Sequence, residues 1–173
     1  MNPLESRRTA LILIDLMPRI IALDTAPLGG PVVLERSVAL AAATRSAGGL
    51  VVNVRVERPG VDVQPEGSEF APEAVPQEGD LEIVKQTIGA FGRSPLDAEL
   101  QSRGIANVVL AGIATNFGVE STGRAASDLG YETFFVTDAM TGLDDHAHNF
   151  AVSYVFPRIG TSCTTAEYLQ ALG

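Results

Sequence analysis

Asp15, Lys85 and Gly118 are the residues whose types and positions could do chemistry. Asp15 closes the apolar stretch TALILID, 9–15, so its carboxyl is expected to be partly buried. Burial disfavours the ionised form and raises the pKa unless a cation lies near. Lys85 ends LEIVK, 81–85, and supplies that cation if the first and third strands flank one cleft. In such a pair the lysine holds and polarises while the aspartate moves the proton. Gly118 lies in LAGIATNFGVEST, 110–122, where a hydrophobic strand runs out and a helix begins. Nucleophiles are often kept at such junctions, but this one offers Thr115, Asn116 and Gly118 and no cysteine. Backbone N–H groups at a helix start are unpaired and can stabilise a developing oxyanion. Plainer readings stand beside each of these. Charged residues commonly follow strands into water, and small residues at a helix start let it pack closely on a sheet.

These residues need a scaffold, and the hydrophobic pattern supplies one. TALILID (9–15), LVVNVRV (50–56), LEIVK (81–85), NVVLAG (107–112) and ETFFVTD (132–138) read as strands, with RIGTSC (158–163) as a short sixth. They are apolar along most of their length rather than at every second residue, as expected of strands buried on both faces. Between them lie predicted helices. Residues 31–48 open with proline and close with glycine, which is helix punctuation. Residues 94–104 are expected to start on a capping box, with Ser94 as N-cap, Pro95 at the first helical position and Asp97 after it. Residues 115–130 end at Gly130, residues 144–156 are stopped by Pro157, and the last helix opens on a Thr164–Glu167 capping box. The alternation predicts one α/β domain over residues 1–173, a three-layer α/β/α sandwich around a mostly parallel sheet of about six strands. Right-handed crossovers bring all strand C-termini to one edge, where ligands of such sheets bind. Asp15, Glu57, Arg58, Lys85, the 112–118 turn and Asp138 are all expected at that edge. The segment 57–80, with four prolines and three glycines, is the longest irregular stretch, and such loops are usually functional or mobile.

Composition excludes several classes. A chain of 173 residues can bury roughly 70% of its unfolded surface as one domain. A net charge of −9 argues against a nucleic-acid groove and against adhesion to anionic lipid. It does not argue against an anionic small ligand, because a single local arginine outweighs the mean field. With one cysteine, Cys163, there is no internal disulfide and no Cys-based zinc site. No apolar run reaches the ~20 residues of a membrane helix, and the apolar stretch after Arg7 and Arg8 is too short for a signal peptide. A cytoplasmic location is the simplest reading.

His146 and His148, next to Asp144 and Asp145, could suggest a metal, but residues two apart on a helix diverge. A solvated helix start accounts for them, and Cys163 reads as a small half-buried residue. No Walker loop, GxGxxG fingerprint or GxSxG elbow occurs.

The ordered set of motifs resembles the isochorismatase-like hydrolase superfamily, which includes the cysteine hydrolases. The set runs from the strand-ending Asp15 through VKQTIGAF with LDAEL to GIATNFGVEST and GYETFFVTDA, and covers almost the whole chain from about residue 9. The resemblance implies that Asp15 and Lys85 are catalytic and that Gly118 stands where amide-cleaving members carry their nucleophilic cysteine. It implies that the Ile113–Ala114 peptide is cis and helps aim backbone N–H groups around Ala114, Thr115 and Gly118 at an oxyanion. Thr115 and Ser121 match non-catalytic positions, and an unactivated hydroxyl is a poor nucleophile. Phe91 and Phe117 are candidates for pocket walls or for core. Arg58 is a candidate for a bidentate grip on a substrate carboxylate, or a surface residue. Zinc-dependent members place histidines after the second strand; RVERPGVDVQ has none, so neither metal nor cofactor is expected. Members usually form homodimers or homotetramers.

Losing the thiol removes the covalent route. The superfamily's isochorismatases also carry glycine there and hydrolyse a vinyl ether, for which an acid and a water suffice. Three functions follow in order of preference: general-acid hydrolysis of a small metabolite by Asp15 and Lys85, a catalytically silent binder of a small molecule or protein partner, and an amidohydrolase using activated water.

Overall fold

The structure is a computed structural model and describes residues 2–172. A turn of 3-10 helix, Ser6–Arg8, leads into β1 (Thr9–Ile14). Then follow α1 (Pro18–Ile21), α2 (Gly30–Ser46), β2 (Leu50–Val56), β3 (Leu81–Lys85), α3 (Leu96–Ser102) and β4 (Asn107–Ile113). The second half contains α4 (Glu120–Asp128), β5 (Glu132–Thr141), α5 (Asp145–Phe150), α6 (Phe156–Ile159), β6 (Thr161–Cys163) and α7 (Thr165–Leu172). The six strands form one sheet in the order β3-β2-β1-β4-β5-β6. Every pairing is parallel.

Two cores explain why the strands are apolar throughout. Successive strand residues point to opposite faces. Ala10, Ile12 and Ile14 of β1 therefore join Leu96 and Leu100 of α3, Ala126 of α4 and Phe156 of α6. Leu11 and Leu13 face the other way, with Val33 and Leu40 of α2 and Tyr168 and Leu172 of α7. On that second face Thr44 and Tyr168 share a buried hydrogen bond of 2.8 Å between α2 and α7. Gly123 sets the distance of α4 from the sheet, since a β-carbon there would come within 2.5 Å of the Phe135 ring.

The start of α3 differs from its sequence reading. Pro95 takes the N-cap position, and Ser94 Oγ accepts only a 3.3 Å bond from Leu96 N–H. Asp97 accepts from Tyr131 Oη at 2.7 Å and from Gln101 instead of closing a capping box. β5 runs three residues past Asp138, because its register with β4 shifts between Leu110 and Gly112. Pro157 does not stop the helix after Asp145. A π-helical turn, Ala151–Val155, intervenes, and Pro157 falls in α6, which continues directly from that turn; the widened turn lies just where a proline's ring and missing N–H disturb a helix. Arg158 and Ile159 stay helical, so β6 shortens to three residues. The Thr164–Glu167 box forms as read, with Thr164 N–H donating to Glu167 Oε2 at 2.8 Å and Glu167 N–H to Thr164 Oγ1 at 3.2 Å.

No described helix is long and apolar enough to cross a membrane.

Candidate active site

β1 ends beneath its neighbours, and Asp15 turns the chain off the sheet with φ = 53°, a conformation uncommon outside glycine. Its N–H is still held by Val54 O at 2.9 Å, which anchors it to the end of β2. Lys85 ends β3, a strand that does not touch β1, because β2 runs between them. Strands two apart lie about 10 Å from each other. The side chains close that gap: Lys85 Nζ is 2.8 Å from Asp15 Oδ2. Both are buried, with side chains 2% and 10% exposed. Lys85 Nζ also donates to Ile88 O at 2.6 Å, so two of the three N–H bonds of an ammonium have protein acceptors. Asp15 Oδ1 is buried with no hydrogen-bond partner among the described residues. Burial therefore pushes the Asp15 carboxyl up from its ordinary value, against the opposing pull of Lys85 and, more weakly, Arg19.

Gly118 meets the pair. A β-carbon there would lie 3.3 Å from Asp15 Oδ2 and 3.4 Å from Lys85 Nζ. It would also lie 2.8 Å from Ile14 Cγ2, closer than packed carbons come, so the space directly over Gly118 is partly taken by a methyl group. Gly118 sits in a π-helical turn, Thr115–Val119, that precedes α4. Ala114 O accepts both Phe117 N–H at 3.1 Å and Val119 N–H at 3.2 Å. The Ile113–Ala114 peptide before this turn is cis. Gly112 has φ = 117°, and a β-carbon there would be 2.2 Å from Ile14 O; glycine lets β4 lie this close to β1 beside the site.

These residues border a cavity of about 440 Å³ at the C-terminal edge of the sheet. Asp15, Lys85, Gly118, Ile113, Ala114, Phe117 and Arg58 all line it. Two candidates do not. Phe91 packs on the core cluster and stacks on Tyr131 with ring centroids 6.0 Å apart. Thr115 is fully buried, and its Oγ1 is 2.8 Å from His148 Nδ1. His148 is thus not part of a solvated helix start, as the sequence suggested; it is buried, and burial holds its pKa below the ordinary value against Asp145. Asp138 stands outside the site as well. It pairs with Arg36 and accepts from Thr165 N–H at 2.7 Å at the start of α7. Cys163 is buried in the second core, and burial, then Glu167 and Asp138, push its thiol up to about 12, far from a nucleophile's value. Among the described residues no cluster of side chains has the makeup of a metal site.

Sequence reasoning missed Leu23, Ile88 and Leu143, which form much of the cavity rim. Their one signal was a large apolar residue just beyond a strand or helix end, a weak sign in a chain that is 46% hydrophobic.

Residues 9–167 match the family model of the isochorismatase domain. The chain is 38% identical to the uncharacterized isochorismatase family protein YwoC of Bacillus subtilis (strain 168), with 96% of this chain and 95% of that protein aligned. It is 35% identical to the uncharacterized isochorismatase family protein YecD of Escherichia coli O157:H7, over 99% of this chain and 100% of that protein. A solved structure of an isochorismatase family protein from Burkholderia thailandensis superposes with a TM-score of 0.90 at 34% identity, covering 99% of each chain. The sheet order, the strand-end Asp–Lys pair and these full-length likenesses lead to one conclusion: the chain belongs to the isochorismatase family.

Proposed function

We propose that the protein is a hydrolase that works by general acid–base catalysis without a covalent thiol intermediate, on a small metabolite with an acid-labile bond such as a vinyl ether. The observation that carries this is the state of Asp15. Its carboxyl lines the cavity, one oxygen is held by Lys85 at 2.8 Å, and the other has no donor among the described residues. A carboxyl so poorly stabilised as an anion keeps a proton to higher pH and can deliver it.

The reaction then runs in two steps. Asp15 protonates the terminal vinyl carbon, giving an oxocarbenium ion and the Asp15 carboxylate. Water adds to the oxocarbenium carbon and returns a proton to Asp15, and the resulting hemiketal separates into an alcohol and a carbonyl compound. Lys85 fixes the carboxyl and steadies the anion that forms when the proton leaves. Its remaining N–H is free to hold the substrate's oxygen. The crowding of position 118 by Ile14 also supports a route that needs no nucleophile there.

The test is turnover of a panel of vinyl ethers, amides and ureides by the protein and by Asp15→Asn. General-acid catalysis contributes about 10²–10⁴-fold, and that loss is expected in Asp15→Asn. Turnover that survives the substitution removes the mechanism. Turnover of amides alone moves the reading to an activated-water amidohydrolase.

A further inference from the structure

The cavity walls say more about the substrate than the acid at their base. The rim residues Leu23, Ile88, Phe117 and Leu143 are large, apolar and between 43% and 61% exposed. Four such side chains gathered around one opening form the kind of exposed apolar patch that marks a binding surface. The charges along the wall do not cancel. Glu57 faces the cavity, but its carboxylate is taken by Arg55 NH1 at 2.6 Å. Asp15 and Lys85 answer each other at 2.8 Å. Arg58 alone remains: it lines the cavity, and its guanidinium has no hydrogen-bond or ion-pair partner among the described residues. Its main chain is not loose. Arg58 N–H donates to Gln64 Oε1 at 2.8 Å, and Gln64 Nε2 donates back to Arg58 O at 3.0 Å. The loop therefore holds the backbone of this arginine while leaving its five N–H donors free, in a chain whose net charge is −9.

We infer that the substrate is an amphipathic monoanion, with a hydrophobic body seated among Leu23, Ile88, Phe117 and Leu143 and one carboxylate gripped by Arg58 at the mouth. This rests on the same cavity being the active site, as proposed above, but not on the reaction chosen there. The carboxylate goes to Arg58 rather than Lys85, because Lys85 is buried and already serves two acceptors. A planar guanidinium fork matches a carboxylate through two parallel bonds, and an ammonium does not.

Unreactive ligands separate this inference from the chemistry. Binding of 4-phenylbutanoate, 4-phenylbutanamide, hexanoate and acetate is measured by titration calorimetry with the wild-type protein, Arg58→Gln, Arg58→Glu and Asp15→Asn. Wild type is expected to bind 4-phenylbutanoate about tenfold or more tighter than its amide, the scale of a charge-assisted pair. It is expected to bind hexanoate measurably and acetate not at all. Arg58→Gln should erase the preference for carboxylate over amide, and Arg58→Glu should make the amide the better ligand. The exposed Arg58 side chain makes no hydrogen bond or ion pair among the described residues, so these variants are expected to fold. Asp15→Asn should keep the wild-type preference, because the acid is not the anchor. Equal affinity for acid and amide, a preference that survives Arg58→Gln, acetate binding as well as 4-phenylbutanoate, or no binding of either longer carboxylate each overturns the inference. Discrimination as expected, with no turnover of any ester, amide or vinyl ether, leaves it standing and removes the general-acid reading instead.

Discussion

Two ion pairs, one buried and one half-buried, lie near the ends of β2 and β3, and they are built to opposite specifications. At one end Asp80 takes Arg45 Nε at 3.0 Å and NH2 at 2.7 Å, Asn53 Nδ2 at 3.2 Å and Gln77 N–H at 2.8 Å. Both its oxygens are occupied, and the forked arginine grips them as a plane. At the other end Asp15 has Lys85 on one oxygen and, among the described residues, no donor on the other. A buried charge with its lone pairs filled is a fastener. A buried carboxyl left half-served is ready to change its protonation state, and it is the one that faces the cavity. The difference lies in the number of donors supplied, since both carboxylates sit against a cation within 2.8 Å.

Exchanging the roles of the two pairs is the most direct way to break this comparison. Asp15→Asn is expected to cost about 10²–10⁴-fold in turnover per folded molecule, although it also lowers stability by leaving the buried Lys85 without its counter-charge. Asp80→Asn is expected to leave kcat within a factor of a few but to lower unfolding stability by about 1.5–3 kcal/mol, the scale of lost hydrogen bonds to a charged group. Urea melts and steady-state rates on the same samples decide it, and an Asp80→Asn that loses turnover as Asp15→Asn does would merge the two classes.

Acidity sharpens the contrast next. In the unfolded chain Asp15 titrates near its ordinary value of 3.8, and in the fold it titrates higher. Between those two values the native state binds more protons than the unfolded one, so stability falls as pH rises through that window. The contribution is fully present below the ordinary value and lost above the raised one. A pH series of urea melts should show this slope in the wild type and not in Asp15→Asn. Turnover should fall on the alkaline side as the acid loses its proton. Lys85→Met removes the main pull toward the anion, so the limb should move to higher pH, while kcat drops with the loss of the positioning bond. A limb that moves to lower pH would contradict the assignment of Lys85.

The smallest expected effect concerns the space beside the pair. Gly118→Cys presses a β-carbon against Ile14 Cγ2 at 2.8 Å and should cost about 1–3 kcal/mol, the usual price of overpacking. Combined with Ile14→Ala, the double variant should be more stable than the sum of the single losses predicts. Additive losses would mean that the methyl yields freely and that the niche is open.

What could be read from the sequence follows physical range. β1 and β4 were legible because a strand buried on both faces leaves a nearly unbroken apolar run, and β2 because its valines outweigh Asn53 and Arg55. Asp15 was legible because a strand end is marked by the first charge after such a run, and Lys85 and Gly118 through the order of motifs around them. That Lys85 would reach Asp15 across an intervening strand was not legible, since sheet order is not written in any local pattern. The same holds for Asp80 and Arg45, 35 residues apart, and for Thr115 and His148, 33 apart. Phe91 and Phe117 were indistinguishable as residue types; only the path of the backbone turns one onto Tyr131 and the other toward the cavity. The π-helical turn before Pro157 was not legible as such, because a proline marks a helix end and a helix distortion alike, and only the burial of Val155 and Phe156 on either side shows the helix running on.

Lys85 belongs to the outermost strand of the sheet, hydrogen-bonded on one side only, while its partner carboxyl is carried on an interior strand. Edge segments open at lower free energy than the centre of a domain. Peeling β3 away would withdraw the ammonium and unclasp the pair while the rest of the sheet stayed zipped. Enzymatic rate should thus act as a sentinel for this seam, fading at denaturant concentrations where circular dichroism still records an intact protein.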